Sequence, residues 1–204
     1  MNLRCQELLR SQCFVDGTWI DGAQGHRLHV INPASNEPIG SVPALGRVET
    51  ALAIAAANRA WPTWKAMTAE QRSRLLRRWH DLIVEHHRDL AMIMTLEQGK
   101  PLAEARDEVL HGAAYVEWYA EEAKRVYGET IPMAQKGKRI VVLKEPVGIC
   151  AAITPWNFPS SMITRKAAPA LAAGCPVVIK PASQTPFSAL ALAWLAQEAG
   201  FPPG

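Results

Sequence analysis

Between Phe14 and Val42 short apolar runs alternate with turn formers, namely Asp16-Gly17, Asp21-Gly22, Asn32-Pro33 and Asn36. Runs this short, bounded by such residues, predict brief strands joined by tight turns. From Val48 alanine and leucine recur at helical spacing. Thr68 and Gln71 form a capping-box signature ahead of a helix that reaches about His87. Gly99-Lys100-Pro101 then ends one helix and starts another, which reaches about Tyr127.

The second half changes period. A short extended stretch, Arg139 to Lys144, precedes the apolar run Val147 to Ile153, which ends at Thr154-Pro155. A run apolar on both faces predicts a buried parallel strand. A helix from about Pro159 to Ala173, a strand Val177 to Lys180 and a helix from about Pro186 to Ala199 follow. The βαβα order indicates an α/β fold with a doubly wound parallel sheet of nucleotide-binding type. Two such strands are too few for that fold, so the sheet is expected to be unfinished within residues 1–204.

Composition narrows the classes. With 49% hydrophobic and 20% charged residues the chain is globular rather than disordered, and its net charge of +3 forms no basic block suited to nucleic acid. Charge within the first ten residues and the lack of a membrane-length apolar run predict a cytoplasmic protein without a membrane partner. Cys5, Cys13, Cys150 and Cys175 have neither metal-site spacing nor the density of a disulfide scaffold. The series Arg72, Arg74, Arg77 and Arg78, followed by His80, His86 and His87, reads as solvated helix faces rather than a zinc site.

In open α/β sheets ligands sit beyond the carboxyl ends of the strands. Two polar clusters follow predicted strands directly: Thr154 to Pro159, and Lys180 to Ser183. On spacing alone each is equally well a surface turn, and Asn157 equally well a helix cap.

The strings Ile153-Thr-Pro-Trp-Asn-Phe-Pro159, Met162-Ile-Thr-Arg-Lys166, Ala170-Leu-Ala-Ala-Gly-Cys175 and Lys180-Pro-Ala-Ser-Gln-Thr-Pro186 are similar, in order and spacing, to the aldehyde dehydrogenase superfamily. So is Leu96-Glu-Gln-Gly-Lys-Pro-Leu-Ala-Glu104. The pattern most resembles the succinate-semialdehyde dehydrogenases, and it extends from about Phe14 to Gly204. In that family a cysteine attacks the aldehyde and a side-chain amide helps hold the oxyanion. The resemblance assigns that amide to Asn157, a donor typically worth about 3 kcal/mol in the transition state. It places Trp156, Asn157, Lys180, Pro181, Ala182 and Ser183 along the cofactor cleft, with Lys180 toward the adenosine ribose. Arg165 matches the arginine that binds the substrate's distal carboxylate, a task suited to a planar guanidinium fork.

The resemblance implies NADP, with NAD as the alternative, because Ser183 stands where NAD-preferring relatives often carry a glutamate. There is no Gly-x-Gly-x-x-Gly, so the common dinucleotide fingerprint lends no support. No position matches the family's nucleophilic cysteine or general-base glutamate, and no metal site is indicated. The resemblance thus implies NADP-dependent oxidation of a small semialdehyde, succinate or glutarate semialdehyde, by a homo-oligomeric enzyme, with residues 1–204 alone inactive. A non-catalytic chain that assembles with a full-length relative, or a truncated product without function, are the rivals.

Overall fold

A computed structural model describes residues 3–23 and 25–204. Turn residues divide the N-terminal segment into two antiparallel hairpins: β1 (Cys13–Val15) with β2 (Thr18–Ile20), and β3 (Arg27–Asn32) with β4 (Glu37–Pro43). Four helices follow: α1 (Arg47–Ala66), α2 (Ala69–Glu85), α3 (His87–Gln98) and α4 (Leu102–Glu122). The capping box at the start of α2 forms as expected. Thr68 Oγ1 accepts from the Gln71 N–H at 3.2 Å, and Gln71 Oε1 accepts from the Thr68 N–H at 2.8 Å. Gly99 ends α3 in the left-handed conformation, φ 90°, where a Cβ would also strike the Pro33 ring at 2.6 Å.

Helix α4 stops sooner than Tyr127, its last turn tightening into the 3-10 segment Ala123–Arg125. A third hairpin pairs β5 (Glu129–Ile131) with β6 (Ile140–Val142). The βαβα unit comprises β7 (Cys150–Ile153), α5 (Ser161–Ala172), β8 (Val177–Lys180) and α6 (Pro186–Glu198), with β7 and β8 parallel.

One continuous apolar core joins α2, α3, α4, α5 and α6, with Leu76, Ile83, Met94, Val109, Ile163 and Leu195 at its centre. The Trp79 indole N–H donates to the Leu192 carbonyl at 3.1 Å, so this large ring is buried with its polar atom satisfied. Helices α4 and α5 approach closely at Gly112, where a Cβ would lie 3.1 Å from Thr164 Oγ1 and 3.3 Å from Ser161 Cα.

Two expectations are corrected. Strand β7 is parallel but not buried on both faces. Ala152 is inside, on the face where α5 packs, whereas within residues 1–204 Ile153 is 75% exposed. The arginines of α2 are not simply solvated: Arg72 donates to the carbonyls of Ala172, at 3.1 Å, and Met67, while Arg77 bridges to Glu117 at 2.6 Å and Glu121 at 2.5 Å on α4. Guanidinium donors here tie helices together.

Candidate active site

Strands β7 and β8 run in register, with Ile153 opposite Lys180, and the Thr154 N–H donates to the Lys180 carbonyl at 3.2 Å. Their carboxyl ends are therefore level. The segments 154–160 and 181–185 leave from one edge of the sheet, as ligand-binding loops of α/β proteins do.

In the first of these loops Trp156, Asn157 and Phe158 are exposed between Pro155 and Pro159. Asn157 does not cap the next helix. That position belongs to Ser160, whose side chain makes no capping bond. The free N–H groups of Ser160 and Ser161 instead donate to Glu108 Oε1, at 3.0 and 3.2 Å. Glu108 is in turn ion-paired with Lys100, whose Nζ also donates to the Asn157 carbonyl at 3.1 Å and lies 4.4 Å from the centre of the Phe158 ring. Both side chains of the pair are nearly inaccessible, 10% and 3% exposed, so removing one charge would strand the other in a poorly solvated place.

In the second loop Lys180 and Ser183 are exposed, Pro181 and Ala182 half-buried, and Lys180 Nζ donates to the Pro181 carbonyl at 3.0 Å. Helix α6 opens with Pro186, and the N–H groups of Phe187 and Ser188 donate to the two oxygens of Glu97 at 2.7 and 2.8 Å. Burial pushes the Glu97 carboxyl up to about 7, against the pull of those N–H donors.

The N-terminus of a helix attracts anions. Here both such termini at the sheet edge already hold an internal carboxylate, Glu108 on α5 and Glu97 on α6. The N–H groups that could receive a further anion there are thereby already taken. The end of β8 and the loop Pro-Ala-Ser-Gln-Thr after it carry the exposed ammonium of Lys180 and hydroxyl of Ser183 and no carboxylate. Those donors fit ribose hydroxyls and a phosphate.

Arg165 is exposed on α5, its guanidinium 5.6 Å from the centre of the Tyr115 ring on α4, and Tyr115 meets His111 edge-on at 4.9 Å. The structure thus draws Trp156, Asn157, Lys180, Pro181, Ala182 and Ser183 to one sheet edge and ties Arg165 to α4. A charged cleft between α2 and α4, lined by Arg74, Arg77, Arg78 and Glu121 among others, has its arginine charge largely paired internally and is a separate feature. Three thiols show no activation: burial raises Cys5, Cys13 and Cys150, the last also through Cys175 nearby.

Sequence reasoning does not single out Lys100, Glu108, Glu97 or Tyr115. Glu97 and Lys100 lie inside the Leu96-to-Glu104 string, where two charged residues flanking a helix-ending glycine are the available signal.

The aldehyde dehydrogenase family profile matches residues 19–204. The chain is 59% identical over 204 residues to a glutarate-semialdehyde dehydrogenase of Pseudomonas aeruginosa, covering 100% of this chain and 42% of that protein. It is 58% identical over the same length to the NADP(+) succinate-semialdehyde dehydrogenase of Escherichia coli, again with 42% of the relative covered. A crystal structure of an E. coli NADP-dependent enzyme superposes with a TM-score of 0.98 at 57% identity, over 99% of this chain and 42% of the other. The chain therefore spans about two-fifths of the length of these relatives.

Proposed function

We infer the role of this chain, which belongs to the aldehyde dehydrogenase family, to be that of the N-terminal portion of an NADP-linked semialdehyde dehydrogenase. It supplies the oxyanion donor and one wall of the cofactor cleft. The observation that carries this reading is the level register of Ile153 and Lys180, which sends the Asn157 loop and the Lys180–Ser183 loop off a single sheet edge.

In this reading the Asn157 amide N–H donates to the oxygen that becomes negative when a nucleophile adds to the aldehyde carbon. Held by a loop with prolines on both sides, it reorganises little as that charge develops. The Arg165 guanidinium receives the distal carboxylate of the substrate, and the Tyr115 ring keeps the planar group from swinging freely. Lys180 and Ser183 bind the adenosine ribose and its phosphate, with Trp156, Pro181 and Ala182 shaping the wall. NADP, when bound, accepts the hydride. No thiol among residues 1–204 is assigned as nucleophile.

Succinate semialdehyde is the substrate favoured by this reading. Glutarate semialdehyde, the substrate named for the P. aeruginosa relative, differs by one methylene, a difference typically worth only about 1–3 kcal/mol in an apolar pocket. The test is a chimeric enzyme in which residues 1–204 replace the matching segment of the E. coli succinate-semialdehyde dehydrogenase. It should oxidise both semialdehydes with NADP, succinate semialdehyde at the higher kcat/KM, and Asn157→Ala should lower kcat by about 10²- to 10³-fold. An Asn157→Ala enzyme with unchanged kcat would remove the oxyanion role.

A further inference from the structure

We propose that Lys100 is a positioning residue for Asn157, fixing the loop backbone from which the oxyanion amide projects. This rests on the reading of Asn157 given above.

Three contacts of one ammonium carry the inference. Lys100 pairs with Glu108, donates to the main-chain carbonyl of Asn157 at 3.1 Å, and lies 4.4 Å from the centre of the ring of the next residue, Phe158. The ammonium is thus directed at the two residues on which the position of the Asn157 side chain depends. Its own base is rigid: Gly99 turns the chain sharply after α3, and the Lys100 N–H is held by Gln98 Oε1 at 2.9 Å. Glu108 completes the arrangement from the other side by receiving the N–H groups of Ser160 and Ser161, where the same loop becomes α5. The loop is consequently gripped at its tip by the lysine and at its exit by the glutamate, and the two grips are joined through their charges.

A lysine needed only to neutralise Glu108 would have no reason to reach the Asn157 carbonyl. That contact separates positioning from mere charge balance. A donor to a transition-state oxyanion has to be placed within a fraction of an ångström, and a displacement of about 1 Å is enough to cost about a hundredfold in rate.

The test is a double-mutant cycle in the chimeric enzyme. Lys100→Met should lower kcat about tenfold or more, with the KM for NADP changed less than about threefold. In an Asn157→Ala background the same substitution should lower kcat no further, because there is no amide left to misplace. An equal loss in both backgrounds, or no loss in either, overturns the proposal. If Asn157→Ala itself has no effect, the oxyanion reading falls and this proposal falls with it. Should Lys100→Met yield only aggregated protein, the double substitution Lys100→Met with Glu108→Gln takes its place in the cycle. It removes both charges of the buried pair together with the contact to the Asn157 carbonyl, keeps an oxygen acceptor for Ser160 and Ser161, and the same outcomes decide.

Discussion

The guanidinium carbon of Arg165 lies 5.6 Å from the centre of the Tyr115 ring, so a residue of α5 is steadied by one of α4 across the close approach at Gly112. If Arg165 receives a carboxylate, its loss and that of Tyr115 should be felt in binding. In the chimeric enzyme Arg165→Ala should raise KM for succinate semialdehyde about ten- to a hundredfold, with little change for an uncharged aliphatic aldehyde. Tyr115→Leu should raise it about two- to fivefold and Tyr115→Phe hardly at all, since the phenyl face retains the attraction to the cation. Steady-state kinetics with the two aldehydes decide the matter, and equal losses on both would make Arg165 a structural residue.

Ser183 stands exposed in a loop without a carboxylate. Introducing one by Ser183→Glu would set a negative charge near the 2'-phosphate, a repulsion of up to about 4 kcal/mol for charges 4 Å apart at moderate dielectric. The ratio of kcat/KM for NADP to that for NAD should fall by at least about tenfold. An unchanged ratio would show that the loop does not read the 2'-phosphate.

Glu97 carries a pH dependence with a definite sign. Its folded-state carboxyl is pushed up to about 7 from an ordinary 4.5, so the folded state holds the proton more tightly than the unfolded chain. The associated stability is complete below about pH 4.5 and is lost as pH rises through 7, an upper scale of about 3 kcal/mol for this group alone. Glu97→Gln should flatten that fall. The check is Tm of the chimeric enzyme with and without the Glu97→Gln substitution, measured side by side between about pH 5 and pH 8. Parallel curves would mean that Glu97 does not titrate in this window.

Residues 1–204 alone should show no semialdehyde turnover, and Cys150 should react slowly with a disulfide reagent at about pH 8, because burial disfavours its thiolate. Sustained NADPH formation by the purified polypeptide, abolished by Cys150→Ser or Cys175→Ser, would identify a nucleophile among them.

Much of this architecture is written locally. Thr68 and Gln71 are close enough in sequence for their reciprocal caps to be read without the fold, and the strand Val177 to Lys180 is bounded by its own flanking residues. Strand β5 escapes such a reading because Glu129, Thr130 and Ile131 are all exposed and too few to show a period. The apolar run around Ile153 reports strand formation but not which face meets a neighbour. That is decided by where α5 lies, not by the run itself. Lys100 and Asn157 are separated by 57 positions, and nothing in either segment names the other. Asn157 read alone suits a helix cap as well as an oxyanion donor. Only its setting among the family's motifs distinguishes the two, and in the structure Glu108 performs the capping.

Glu97 and its partner Ser188 lie 91 positions apart, which sets an order of events during synthesis. At translation rates of about 5–20 residues per second the helix bearing Glu97 leaves the ribosome roughly 5–18 s before the amide it will hold. Through that interval the carboxylate has neither of its two N–H donors. In the folded chain both donors come from α6, and burial there raises the proton affinity of the carboxyl. The carboxyl of α3 thus waits on a segment made later, and only their meeting takes it out of water.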